Sequence, residues 1–217
     1  MIGSDVKLIE YSKAVDLQNC LTHALGAVLS AVGLIMLLMK AEGAVEIAAA
    51  AIYGVSLTAV YTVSAVYHGL KSGETKRRAR IADHTAIPVL IAGTATPCAL
   101  ITLKGVSTGH CLLVFLLAWF CAVFGIISKI FFFEKLKALT MTLYIVSGAV
   151  MLFSVVPILD RINIHAFDLL LAGCVSYVIG AIFCGLGRKT PWLHIVFHVF
   201  VLLGSALHFW AIYQYIF

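Results

Sequence analysis

The chain has 217 residues, of which 62% are hydrophobic and only 12% are charged. A soluble domain is roughly 45 to 50% apolar and about 25% charged, so this composition excludes an ordinary water-soluble protein and predicts an integral membrane protein. The formal net charge of +5 is compatible with nucleic-acid binding, but the basic residues lie between apolar segments. They are better interpreted as topology signals or as a patch that faces phospholipids, so no nucleic-acid partner is expected.

Seven apolar segments are long enough to be membrane spans. Residues 1–16 carry charges of both signs, and the apolar segment after them is longer than that of a signal peptide, so it is expected to remain in the membrane. The expected fold is an all-α bundle of seven transmembrane helices, a single domain over residues 1–217. The predicted spans cover residues 17–39, 47–70, 84–103, 109–128, 138–159, 166–186 and 192–217.

Two of these spans contain residues that predict how they pack. In the first, Gly26, Ser30 and Gly33 offer small faces for close helix contact. In the third, Pro88 and Pro97 predict a bent helix, which membrane helices tolerate where neighbours satisfy the freed carbonyls. The six cysteines follow no regular spacing and are interpreted as small buried hydrophobic residues.

Lysine and arginine are distributed unevenly between the two ends of the predicted spans. Twelve of the fifteen lie in the N-terminal segment and in the second, fourth and sixth loops, and five of these fall within residues 71–80. Loops rich in positive charge stay on the cytoplasmic side. The N-terminus is therefore expected to be cytoplasmic and the C-terminus to lie outside.

Polar residues concentrate at the cytoplasmic ends of three predicted spans. Ser64 and His68 close the second span, Asp83 opens the third, and the pair of His194 and His198 opens the seventh. Histidines four residues apart share one helix face and are about 6 Å apart along its axis. Ionisable residues inside membrane helices indicate function. We expect the three histidines to meet in one layer.

Three neutral imidazoles are a suitable ligand set for zinc. The predicted ligands are His68, His194 and His198, and three protein ligands leave a fourth position for water, as in catalytic zinc sites. Asp83 is the acidic residue expected at this depth, and it is predicted to accept a proton from that water. Ser64 is predicted to orient the water or to donate to a developing oxyanion.

Each of these assignments has an alternative. Asp83 has the residue type of a helix N-cap, and Ser64 could hydrogen-bond to a carbonyl of its own helix. His68 alone could be an interfacial residue. His208 is expected to lie about 15 Å beyond His198 along the helix, which excludes it from the metal.

Four motifs at the cytoplasmic ends of predicted spans share a resemblance to known proteins: Glu10, Asn19 and His23; Ser64, Tyr67 and His68; Asp83; and His194 and His198. They resemble the motifs of the hemolysin III and progestin/adipoQ receptor (PAQR) family. The short N-terminal segment is similar to that of the bacterial hemolysin III branch. This resemblance implies a multi-pass protein of the bacterial inner membrane.

The resemblance also implies a zinc held by the three histidines and kinship with membrane hydrolases that cleave ceramide. The first hypothesis is a zinc-dependent hydrolase of a lipid amide or ester at the cytoplasmic side, with a membrane lipid as substrate. The second is a receptor-like or regulatory membrane protein with structural zinc. The third, suggested by the family name, is a cytolytic pore, but the few intramembrane charges do not line an evident channel.

Overall fold

The computed structural model describes residues 6–103, 107–154, 156 and 163–217. Within these ranges the chain forms seven α-helices, and α3 continues directly into a π-helical segment, Cys98–Leu103. The helices are α1 Lys13–Lys40, α2 Gly43–Gly69, α3 Glu74–Pro97, α4 Thr108–Phe131, α5 Lys137–Ser154, α6 Ile164–Leu186 and α7 Leu193–Tyr215.

Among the described residues, six helices are long and apolar enough to cross a membrane, with α3 counted together with its π-helical continuation. The chain is therefore a helical membrane protein. Helix α5 is apolar but shorter than these six. The predicted fifth span runs to residue 159, and its end lies outside the described residues, so the seventh crossing stays a prediction.

Polar side chains mark the beginnings of three helices. Ser12, Ser107 and Asn163 precede α1, α4 and α6, and each side chain accepts a hydrogen bond from a backbone N–H of the first turn. The first turn of a helix leaves its N–H groups without helical partners, so these caps stabilise the helix ends.

Helix α3 begins earlier than the third predicted span. It starts at Glu74, whose carboxylate pairs with Arg77 and Arg78 at 3.0 and 3.3 Å. The basic run after α2 is therefore helical, and the N-cap position is Gly73. Asp83 lies well inside the helix, so the alternative in which it caps α3 is wrong.

The prolines of α3 coincide with a change of helix type. Pro88 lies within the α-helix, and at Pro97 the α-helix gives way to the π-helical segment. Proline has no backbone donor, so the hydrogen bonds around it must be rearranged. The π-helical segment contacts both α2 and α4.

The small residues of α1 form a contact stripe, as predicted. Gly26, Ser30 and Gly33 are all buried. A β-carbon added at Gly26 would lie 2.7 Å from Cδ1 of Tyr61 on α2, and one at Gly33 would lie 2.8 Å from the ring of Phe209 on α7. The absence of side chains at the glycines lets α1 pack closely against both helices.

The main core of the bundle and its outer surface are both largely apolar. Large apolar side chains such as Leu113 and Phe120 face outwards and are more than half exposed, which suits contact with lipid. The principal buried cluster joins α1, α2, α3 and α7, and consists of Leu37, Ala50, Tyr53, Leu57, Val60, Tyr61, Leu90 and Ile212.

Candidate metal centre

Three histidines from two helices meet at one end of the bundle. His68 lies in the last turn of α2, and His194 and His198 lie at the start of α7. One ligand nitrogen from each lies within 4.8 Å of the others, and the ring centroids are 4.8 to 5.3 Å apart. Zinc–imidazole bonds are near 2 Å, so small side-chain adjustments would bring all three nitrogens onto one ion. The cluster could hold a metal ion.

The ring of His68 is held from behind by a carboxylate. Oδ1 of Asp16 lies 3.0 Å from Nδ1 of His68, and Oδ2 of Asp16 accepts from Nζ of Lys76 at 2.6 Å. The carboxylate can only accept, so Nδ1 carries the proton and Nε2 keeps its lone pair. That Nε2 is buried and has no partner among the residues described. A buried lone pair directed at two other imidazoles fits a metal ligand.

The ring of His198 is held in a similar way. The Thr22 hydroxyl donates to the carbonyl of Asn19 at 2.9 Å, and its oxygen lies 3.2 Å from Nδ1 of His198. Because the hydroxyl hydrogen is used by the carbonyl, the oxygen accepts from Nδ1–H. Nε2 of His198 is left to face the cluster, as in metal sites where a second group fixes the histidine tautomer.

His194 forms the more open side of the centre. His68 and His198 are buried, whereas His194 is half-buried. Its ring stacks on Tyr11 with centroids 5.2 Å apart and an interplanar angle of 29°. Burial raises the pKa of Tyr11 above its ordinary value, so its phenol stays neutral. The segment before α1 therefore covers part of the centre.

Asp83 and Ser64 are paired beside the histidines. The buried Ser64, one turn before His68, lies near enough to the Asp83 carboxylate for its hydroxyl to interact with it. Asp83 is also close enough to His68 for electrostatic interaction. An acceptor and a donor thus stand together next to the ligand cluster.

Sequence reasoning missed the carboxylate that contacts the centre. Glu10, which the resemblance assigned to the first motif, is exposed and precedes α1, whereas Asp16 lies in the first turn of α1. Asp16 is three residues before Asn19 and seven before His23, so all three share one helix face. That spacing is the signal that could have found it.

Asn19 and His23 form a second polar layer beneath the ligands. The His23 ring stacks on His198 with centroids 3.6 Å apart and meets the ring of Tyr61 edge-on at 5.1 Å. Both nitrogens of His23 and both amide atoms of Asn19 are buried without partners within the described part of the chain. These groups support the ligand layer from inside the bundle.

Two other histidines lie apart from the centre. Nε2 of His208 is 3.0 Å from the carbonyl of Leu170, and its ring packs edge-on against Tyr177 at 5.3 Å. His208 is not part of the ligand cluster, as its distance along α7 predicted. His84 packs edge-on against Phe133 at 4.9 Å, consistent with a role in packing against a neighbour.

Helices that cross a membrane and three convergent histidines at their ends define an integral membrane protein with a candidate metal centre. Known proteins are similar to this chain over most of its length. Residues 11–209 match the family described as Haemolysin-III related. The chain belongs to this family.

Relatives of this family are found in bacteria and animals. The chain is 38% identical over 204 residues to Hemolysin-3 of Bacillus cereus, covering 93% of this chain and 91% of that protein. It is 37% identical over 203 residues to the Hemolysin-3 homolog of Bacillus subtilis (strain 168), covering 92% and 93%. It is 27% identical over 205 residues to the Monocyte to macrophage differentiation factor of Homo sapiens, covering 92% and 83%.

Proposed function

We propose that this protein is a zinc-dependent hydrolase that cleaves an amide or ester bond of a membrane lipid at the cytoplasmic side of the bacterial inner membrane. The observation that supports it best is the cluster of His68, His194 and His198, with ligand atoms within 4.8 Å of one another. A set of three imidazoles with a free fourth position is typical of catalytic zinc.

The donor set fits zinc better than a harder metal ion. Neutral imidazole nitrogens suit zinc, whereas magnesium and calcium prefer oxygen ligands. Asp16 and Thr22 hold the Nδ1 atoms of two ligands, which keeps their Nε2 atoms aimed at one point. When bound, zinc would lower the pKa of a water molecule towards about 7 and polarise a carbonyl group.

Asp83 and Ser64 are the residues that would transfer protons and donate hydrogen bonds during the reaction. An ionised Asp83 carboxylate can accept a proton from the attacking water and then pass it to the leaving amine or alcohol. The Ser64 hydroxyl orients this carboxylate and can rotate to donate to the oxyanion that develops on the substrate carbonyl. The histidines lie at helix ends, and the ends of membrane-spanning helices are expected near the lipid–water interface, so the acyl linkages of membrane lipids would be within reach.

Metal content tests the ligand set. Purified wild type should contain about one zinc per chain, and His68→Ala, His194→Ala and His198→Ala should each lose most of it. His165→Ala removes an exposed histidine at the start of α6 and should keep the wild-type content. Wild-type zinc content in all three ligand variants would disprove the proposed centre.

Lipid turnover tests the reaction. Purified protein incubated with lipid amides and esters should release fatty acid, and Asp83→Ala should retain zinc while release falls about 10²- to 10⁴-fold. Asp168→Ala changes an exposed acid on α6 and serves as the matched control. Undiminished release by zinc-loaded Asp83→Ala would exclude the role proposed for Asp83.

Structural zinc in a receptor-like protein is the second candidate. The observation that favours it is that the ligands come from two helices far apart in the sequence. A metal bound by His68 on α2 and by His194 and His198 on α7 would hold these helices together. In that case a chelator would lower the melting temperature while wild type turns over no lipid. Structural zinc usually has four protein ligands, and the three found among the described residues favour the hydrolase.

A further inference from the structure

Two buried cations lie near the candidate metal centre. Arg80 on α3 and Lys129 on α4 are only 3% and 2% exposed. The guanidinium carbon of Arg80 lies 5.3 Å, and Nζ of Lys129 lies 5.0 Å, from the ring centre of Phe133. Phe133 is itself fully buried. Two positive charges therefore share one apolar, water-poor environment.

Among the described residues, Arg80 and Lys129 each lack an ion-pair partner. Within the described ranges, no carboxylate forms an ion pair with Arg80 or Lys129, and Nη1 of Arg80 is buried without a hydrogen-bond partner. Two carboxylates lie near enough for electrostatic interaction. Glu134 pairs with Lys137 at 3.2 Å, and Asp83 lies near the Ser64 hydroxyl. In the part of the chain that the structure describes, the local balance of charge is positive.

Further cations surround this pair. Lys137 and Arg188 are both close enough to Lys129 to interact with it electrostatically. Arg80 in turn is near enough to His194 for electrostatic interaction, so the basic group and the histidine cluster lie in the same region of the bundle. Burial of a cation without a partner is unfavourable, so an anion from outside the chain would stabilise this arrangement.

A topology signal does not explain the burial of these two residues. Positive charges in loops orient a membrane protein while they remain in water. Arg78 and Lys135 carry the same charges near Arg80 and Lys129, and both are exposed. Exposed residues of this kind would be enough to orient the protein in the membrane, so orientation does not require Arg80 and Lys129 to be buried.

We propose that Arg80 and Lys129 bind a phosphate group beside the candidate metal centre. The planar guanidinium of arginine binds phosphate with two parallel hydrogen bonds, and lysine adds a point charge. Both a phospholipid headgroup and free phosphate carry this group. The outward faces of the helices are apolar and suit contact with lipid, so the surrounding membrane would be the source of a phospholipid headgroup. The site goes beyond the proposed hydrolysis and does not depend on it.

Ligand-dependent melting tests the site in the full-length protein purified in a neutral detergent. Phosphatidylglycerol is expected to raise the melting temperature saturably, whereas diacylglycerol, which lacks phosphate, is not. A saturable rise with inorganic phosphate of the same size would assign the site to the free ion, and a rise with phosphatidylglycerol alone would assign it to a lipid headgroup. No rise with either ligand would overturn the proposal.

Matched variants separate a binding site from a structural role. Arg80→Gln and Lys129→Met should weaken the apparent affinity for the phosphate ligand at least about ten-fold, and each should melt higher than wild type without ligand because an unpaired buried charge is gone. Arg78→Gln and Lys135→Gln change exposed charges and should keep the wild-type response. Lower melting with unchanged affinity, or equal loss in the exposed controls, would contradict the proposal.

Conservative variants keep the test decisive. Arg80→Lys and Lys129→Arg preserve the charge and should retain part of the response if the first pair does not fold; complete loss of the response in folded forms of both would count against the site. The readout involves neither zinc nor turnover, so its failure leaves the proposed hydrolase intact.

Discussion

At the scale of single residues, Asp16 connects the fold to the candidate centre. One carboxylate oxygen binds Nδ1 of His68, and the other binds the buried ammonium of Lys76. A carboxylate behind a metal-binding histidine fixes the ring and raises its basicity. Without Asp16, Lys76 would also be left as a buried, unpaired cation. The same side chain therefore orders three helices and one ligand.

Replacement of this carboxylate tests that role. Asp16→Asn should weaken zinc binding by about 10- to 100-fold, because a neutral amide holds the imidazole proton less strongly. The affinity can be measured by competition with a chelator of known strength. Glu10→Gln removes an exposed acid of the same N-terminal region and should bind zinc as wild type does. Equal affinities in the two variants would contradict the role of Asp16.

The three candidate ligands could be predicted from the sequence for a physical reason. His194 and His198 are one helical turn apart, and His68 closes an apolar segment whose end must lie at a membrane surface. The role of Asp16 could not be predicted in this way, because the charges of residues 1–16 indicate a segment that precedes the membrane. The hydroxyl of Thr22 was missed because a threonine in an apolar helix carries no signal of its partner.

At the scale of helices, α3 differs most from the prediction. The basic residues after α2 were expected to form a loop, but Glu74 pairs with residues three and four positions later, and such pairs stabilise a helix in water. Hydropathy identifies the apolar part of a helix but not a polar extension of it. The membrane part of α3 is therefore predicted better than its first residue. At Pro97 the α-helix changes into the π-helical segment, whereas the bend expected from the two prolines stays a prediction.

The close contacts of α1 lead to a prediction for its glycines. Gly26→Ala should destabilise the protein by about 1 to 3 kcal/mol, because the added carbon would lie 2.7 Å from Tyr61 and 2.8 Å from Leu202 in a packed core. Thermal unfolding in detergent measures the effect. Gly148→Ala on α5 is the control, since nothing lies within 4 Å of the added carbon. Equal melting temperatures for the two variants would contradict this packing.

At the scale of the whole molecule, the packed interior argues against a pore. The cluster that includes Leu37, Leu57 and Ile212 is fully apolar apart from tyrosine hydroxyls, whereas pores are lined by polar groups or carbonyls. We expect purified protein in planar lipid bilayers to show no conductance above background. Channel currents that persist in His194→Ala would restore the pore hypothesis.

The position of the histidines also bears on the number of membrane crossings. If α1 and α2 both cross, then His68 at the end of α2 lies on the side of the N-terminus. His194 at the start of α7 lies beside it, so α7 begins on that side and ends on the opposite one. The total number of crossings must then be odd. Since six helices are long enough to cross, α5 is expected to be the seventh.

Reporter fusions test this topology and its orientation. Alkaline phosphatase, active only outside the cytoplasm, should be active when fused after Phe217, and a green fluorescent protein at the same position should be dark. Fusion after Lys71, at the end of the first two helices, should give the reverse pattern and serves as the control. The positive charges on the N-terminal side predict this orientation. If both fusion sites reported the same side, α5 would not cross the membrane. His68 and His194 could then not lie at the same membrane surface.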